Sequence, residues 1–250
     1  MATIYLFRHG QASFGEADYD RLSPLGERQA SLLGQYLRDT GIVLDAAFSG
    51  DLLRQRQTAQ LAIASQPGTV ERHIEPRFNE IRNDEQLTYL LPELVKRDHR
   101  LRELVERGLK SSKDYQKVID AVFNYWVSPH CDEPRIQSWA DYSGGVRAAL
   151  QELMASQGSG KTIGVFTSGG TIATVVAQVL GLSGAQTYQF YEPVFNCSVT
   201  QIFYSGSKTS LSYFNDRSWL HLLGAGSGEN LVTYRCVHGG CDGYLPGEAR

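Results

Sequence analysis

The chain has 250 residues, 42% of them hydrophobic, and a formal net charge of −3. That length can bury a core as one large domain or as one domain carrying a subdomain, and the weakly acidic balance gives no footprint for nucleic acid or a polybasic membrane patch. No apolar stretch reaches the about 18 residues that a membrane-spanning helix needs, and no basic-then-apolar leader precedes the first strand. The four cysteines, at 131, 197, 236 and 241, are too few and too scattered for a disulfide framework, so free thiols and a cytoplasmic setting are expected.

Residues 4–7 are short, apolar and β-prone, the pattern of a strand buried on both faces. They end abruptly in Arg8, His9 and Gly10. In an open α/β sheet the carboxyl end of a strand borders the ligand crevice. A guanidinium forks onto two phosphate oxygens, and a neutral imidazole nitrogen can attack phosphorus.

Residues 11–21 are polar and loop-like. Ser23 caps a helix whose first turn holds Pro24, Leu25, Leu32, Leu33, Tyr36 and Leu37 give it one apolar stripe, and Gly41 ends it. A second strand is expected over 43–48, followed by a helix from about residue 51 to 65. Within that helix Arg54 and Thr58 share a face, while Arg56 points away as an ordinary solvated charge. Arg54 stands one turn into the helix and so within reach of the crevice at Arg8. A third β-like run at 70–76 leads to Phe78-Asn79-Glu80, where Glu80 is a candidate for proton transfer.

Residues 85–143 are charged and amphipathic with helical spacing and no β-like run, the signature of a helical insertion. A helix from 141 or 142 to 156 follows, and 161–167 is the cleanest strand pattern in the chain. It ends in Ser168-Gly169-Gly170-Thr171 and feeds a helix over 172–180, an anion-friendly corner because unpaired N–H groups and the positive dipole end face it. Residues 199–204 and 211–214 alternate as a hairpin around Gly206, and 231–234 is expected as a last edge strand. From 236 to 250 the composition is that of a loose tail. Cys236, His238 and Cys241 lack a fourth ligand, so no metal site is read there.

Four ordered segments resemble the histidine phosphatase superfamily, also called the phosphoglycerate mutase-like family, over most of residues 3–82 and 161–235. They are Phe7-Arg8-His9-Gly10, then Leu22-Ser23-Pro24-Leu25-Gly26-Glu27-Arg28-Gln29-Ala30, then Ser49 with Leu53-Arg54 and Thr58-Ala59, then Phe78-Asn79-Glu80. The resemblance implies a three-layer α/β/α sandwich with a mainly parallel sheet, here one domain over residues 1–235 including the insertion. It also implies a covalent phosphohistidine on His9, with Glu80 as proton donor and then base. Arg8, Arg54, Ser168 and Gly169 would hold phosphate, Gln11, Phe14 and Arg82 would shape the substrate pocket, and no cofactor is needed.

The family normally carries a second histidine where this chain has Ser168. Exchanging a charge-assisted bond for a neutral one costs about 1–2 kcal/mol, roughly tenfold in rate. Arg82 and His221 are candidates to restore the missing positive charge. The tryptophan-asparagine and phenylalanine-threonine-glycine features of the family's mutases are also missing between His9 and Leu22. Phosphomonoester hydrolysis of a phosphorylated small molecule is therefore the leading expectation. A weakened phosphate-binding or scaffold protein and a phosphoglycerate mutase-type transferase are the alternatives. The oligomeric state is left open, a homodimer included.

Overall fold

The computed structural model describes residues 1–13 and 20–233. In chain order the elements are β1 (Ala2–Arg8), α1 (Pro24–Asp39), β2 (Ala46–Ser49), α2 (Leu53–Ile63), β3 (Glu71–Ile74), a 3-10 turn (Pro76–Phe78), α3 (Asn83–Arg97), α4 (His99–Glu106), α5 (Ser112–Trp126), α6 (Trp139–Gln157), β4 (Thr162–Thr167), α7 (Gly169–Val179), α8 (Gly184–Tyr191), β5 (Val199–Ser205), β6 (Lys208–Asp216) and α9 (Ser218–Ser227). The sheet runs β3-β2-β4-β1-β5-β6. β3, β2, β4 and β1 are mutually parallel, and β5 and β6 add an antiparallel hairpin at one edge. This is an α/β sandwich.

The layering follows from side-chain alternation along β1. Ile4 and Leu6 enter a core shared with α3 to α8, and Tyr5 and Phe7 enter a second core shared with α1, α2 and α9. Both cores meet the same central strands, so a polar residue in the middle of β1 would be buried whichever way it pointed. Each of these large apolar side chains stabilises the fold by about 1.5–3 kcal/mol on burial.

Helix α1 begins where Ser23 and Pro24 predict, with Ser23 Oγ accepting from Gly26 N at 3.0 Å. Gly26 also lets the helix pack against the first loop: a Cβ on Gly26 would stand 2.0 Å from Gln11 O. The helical insertion is present, but its first amphipathic run is two helices. Asp98 ends α3 and caps α4, accepting from Arg100 N and Leu101 N. Leu90, Leu101, Leu104, Val122 and Phe123 of the insertion share one core with Ile4 and Leu6.

Several boundaries differ from expectation. α2 starts at Leu53 instead of 51, because Asp51 N donates to Asn79 Oδ1 and Leu52 is extended. The strand expected over 231–234 is not formed at 231–233, and Tyr234 lies outside the described residues. Leu231 is buried, and the backbone there is satisfied by a side chain and a loop instead of a strand: Gln29 Nε2 donates to Leu231 O, and Asn196 N donates to Thr233 O. Helices α8 and α9 had no clear sequence signal. α8 starts from a capping box between Ser183 and Gln186, while α9 runs unbroken through Gly224 and Gly226, residues of low helix propensity. Among the described residues no helix is long and apolar enough to cross a membrane.

Candidate active site

The parallel pairing of β1 with β4 brings the two loop corners side by side. Arg8 is opposite Thr167, and His9 N donates to Thr167 O at 2.8 Å, so His9 and Ser168 leave adjacent strands together. Gly10 N donates to Thr58 Oγ1 at 3.0 Å, fixing the first corner against α2.

His9 is 5% exposed. Its Nδ1 lies 2.7 Å from Gly10 O, which can only accept, so Nδ1 carries the proton and Nε2 presents its lone pair. Arg54 Nε donates to that Nε2 at 3.3 Å. The imidazole is held well below the usual histidine range, first by burial, then by the charges of Arg54 and Arg8. It is a neutral imidazole whose one lone pair is held in a fixed direction.

Arg8 and Arg54 are both buried. Arg8 Nη1 donates to Val194 O. Arg54 Nη1 pairs with Asp20 Oδ1 at 2.5 Å, and Asp20 Oδ2 accepts from Leu53 N, so one carboxylate both holds the arginine and caps α2. Arg56 pairs at the surface with Asp51, as its side of the helix predicts.

Glu80 reaches the second corner because its loop is tied to β4 and α7: Thr167 Oγ1 donates to Phe78 O and Thr171 Oγ1 to Asn79 O. Glu80 Oε1 then accepts from Gly170 N at 3.0 Å and from Ile81 N at 2.9 Å. Only glycine permits this, since a Cβ at position 170 would sit 2.3 Å from that oxygen. Tyr142 supports the same loop, donating to Asn79 O, and burial followed by the Glu80 charge pushes its phenol well above the usual range.

Ser168 is wholly buried and its Oγ accepts from Gln55 Nε2 at 2.8 Å, which leaves the hydroxyl proton to be donated elsewhere. Gly169 opens α7 beside it. Gln11 spends its side chain on the cap of α1, accepting from Ser23 Oγ, and its N–H donates to Gln29 Oε1. Arg82 is at the start of α3 with a largely exposed side chain paired to Glu85, and His221 is exposed on α9. Phe14, Cys236, His238 and Cys241 lie outside the described residues. Among the described residues no group of three or more His, Cys, Asp or Glu could hold a metal ion.

Sequence reasoning missed the residues behind the site. Gln29 Nε2 donates to Thr233 Oγ1, which donates to Asn196 Oδ1, and Asn196 Nδ2 donates to His9 O at 3.0 Å. Gln29 stands at an apolar-stripe position four residues after Leu25, and Gln55 stands on the buried face of α2 with Thr58 and Ala59. A polar residue on an apolar face was the available signal.

Known proteins share this fold and sequence pattern. The Histidine phosphatase superfamily (branch 1) profile matches residues 4–217, and the chain belongs to that superfamily. Its sequence is 40% identical over 67 residues to the broad-specificity phosphatase YOR283W of Saccharomyces cerevisiae, a match covering 24% of this chain and 29% of the yeast protein. Among solved structures, phosphoserine phosphatase from Entamoeba histolytica superposes with a TM-score of 0.61 at 20% identity, covering 88% of this chain and all of that one. Phosphoglycerate mutase from Bacillus anthracis gives 0.61 at 21%, covering 88% and 95%. Mycobacterial glucosyl-3-phosphoglycerate phosphatase Rv2419c gives 0.59 at 20%, covering 85% and 98%.

Proposed function

We propose that this protein is a phosphomonoester hydrolase that works through a phosphohistidine on His9. The observation that carries the reading is the imidazole itself, locked in one tautomer with its Nε2 lone pair facing a buried guanidinium. Nε2 attacks phosphorus as the ester P–O bond breaks, and Glu80 gives its proton to the departing oxygen. Water then attacks phosphorus while Glu80 takes its proton, the P–N bond breaks with its electron pair returning to Nε2, and inorganic phosphate leaves with His9 restored. The Arg54 N–H now aimed at Nε2 passes to a phosphoryl oxygen when that lone pair is consumed. Arg8, Arg54, the Ser168 hydroxyl and the Gly169 N–H hold the equatorial oxygens, where preset charge counts most.

The phosphatase names among the relatives support hydrolysis. Ser168 favours a second reading, phosphate binding without turnover, because the β4 corner brings no cation. A phosphoester panel with His9→Ala as control separates the two. Release of phosphate by the wild type, with acid-labile phosphate trapped on it and none on His9→Ala, is the expected result. Tight phosphate binding with no ester turned over would reject hydrolysis, and isomerisation of 3-phosphoglycerate without free phosphate would point to a mutase.

A further inference from the structure

Arg217 is a cation that the mechanism above leaves unused. It follows β6, and sheet register places it at the catalytic edge: Phe7 of β1 pairs with Val199 of β5, which pairs with Asp216 of β6. Its guanidinium carbon lies 3.5 Å from the centroid of the Phe195 ring. Phe195 sits between two residues that brace the first corner, Val194, whose carbonyl accepts from Arg8, and Asn196, whose amide donates to His9 O. Along that covalent and hydrogen-bonded path the two guanidiniums are no more than about 15 Å apart, the span of a small metabolite.

Among the described residues the group is held in place with no carboxylate paired to it. Asn215, at φ +57°, accepts from Phe195 N through Oδ1 and donates to Pro193 O through Nδ2, which fixes the loop that carries the aromatic ring. The neighbouring Asp216 spends Oδ1 on Ser218 N and Oγ. Arg28, Arg77, Arg107 and Arg135 all have carboxylate partners, whereas among the described residues none pairs with Arg217. Partial burial also pushes its pKa down, as expected for a cation partly withdrawn from water. A face-on aromatic stack orients a guanidinium while leaving its edge donors open to a planar anion.

We infer that Arg217 forms a second anion subsite beside the phosphoryl position, so that the preferred ester carries another negative group, a carboxylate or a second phosphoryl. This rests on the hydrolase reading and names the substrate class that reading leaves open.

The test measures kcat/KM on phenyl phosphate, the three carboxyphenyl phosphates and benzene-1,3-diyl bisphosphate, for the wild type, Arg217→Gln and Arg217→Lys. The wild type is expected to favour at least one doubly anionic ester, and Arg217→Gln to reduce that preference about tenfold, mainly through KM, with Arg217→Lys retaining part of it. Which ester loses most identifies carboxylate or phosphoryl. A uniform loss on every ester, or an unchanged preference, overturns the subsite and leaves only a structural stack on Phe195. Should no ester be hydrolysed, the hydrolase reading falls, and calorimetric binding of the same esters to wild type and variant decides the subsite. Discrimination that depends on Arg217 supports it, and uniform or absent binding rejects it. Arg217→Lys carries the comparison if circular dichroism shows that Arg217→Gln does not fold.

Discussion

At the β1 corner the protein gathers charge: Arg8 and Arg54 flank an imidazole kept neutral, and Asp20 holds one of the guanidiniums. At the β4 corner it relies on neutral donors and one carboxylate, with Ser168 bonded to Gln55, Gly169 opening α7, and Glu80 resting on Gly170 N. The cations would bind and activate phosphoryl, and the neutral corner would shape it and handle protons. A site so divided concentrates its sensitivity in the first corner, and substitutions should reveal that order.

The largest effect is expected at His9. His9→Ala should lower kcat by about four orders of magnitude, read as initial rates alongside the loss of trapped acid-labile phosphate. Next, Arg54→Gln should cost about 10²–10³ in kcat/KM, because it removes a donor from the transition state. It should also move the acid limb of the pH–rate profile upward, since the Arg54 charge is the second cause, after burial, of the lowered His9 pKa. An unmoved limb in that variant would deny His9 the nucleophile's role.

Glu80→Gln should cost about 10² on an alkyl phosphate and much less on 4-nitrophenyl phosphate, whose leaving group needs little protonation. Equal losses on both esters would remove Glu80 as the acid. The smallest effect is expected at Ser168. Ser168→Ala should lower kcat/KM only several-fold and lower stability by about 1 kcal/mol in a urea titration, the net worth of one neutral buried hydrogen bond. A loss as large as that at Arg54 would erase the contrast between the corners.

A pH titration of stability sharpens the same comparison. The folded pKa of His9 is depressed, so protons bind more readily to its unfolded form. The stability its neutral state contributes is full above the ordinary histidine pKa of about 6.5 and declines as pH falls toward the folded value. The urea midpoint should therefore drop below about pH 6.5, and His9→Gln should remove part of that drop.

The two corners were also unequally legible in the sequence. Arg8-His9-Gly10 could be placed because an apolar run ended in residues that no buried strand would hold without a purpose. Arg54 could be placed because four-residue spacing sets it on the face of Thr58. Glu80 was legible as a residue after a strand, but its contact with Gly170 depends on Thr167 and Thr171 anchoring its loop from 89 and 92 positions away. Gln29, Asn196 and Thr233 meet behind His9 from three distant parts of the chain, and no local pattern announces that. The strand expected over 231–234 failed for the same reason, its backbone at 231–233 being satisfied by a helix side chain and a loop instead of a neighbouring strand.

By itself the sequence determined the layered α/β architecture, the strand and helix that flank each corner, and the residue types of the reacting groups. Those depend on local propensity and side-chain period, which act over a few residues. The tertiary structure decided which imidazole nitrogen is presented, which carboxylate holds Arg54, and that Arg217 stands at the catalytic edge without a described carboxylate partner. Each of those depends on groups far apart along the chain brought within a few ångströms, where burial makes their charges and hydrogen bonds count.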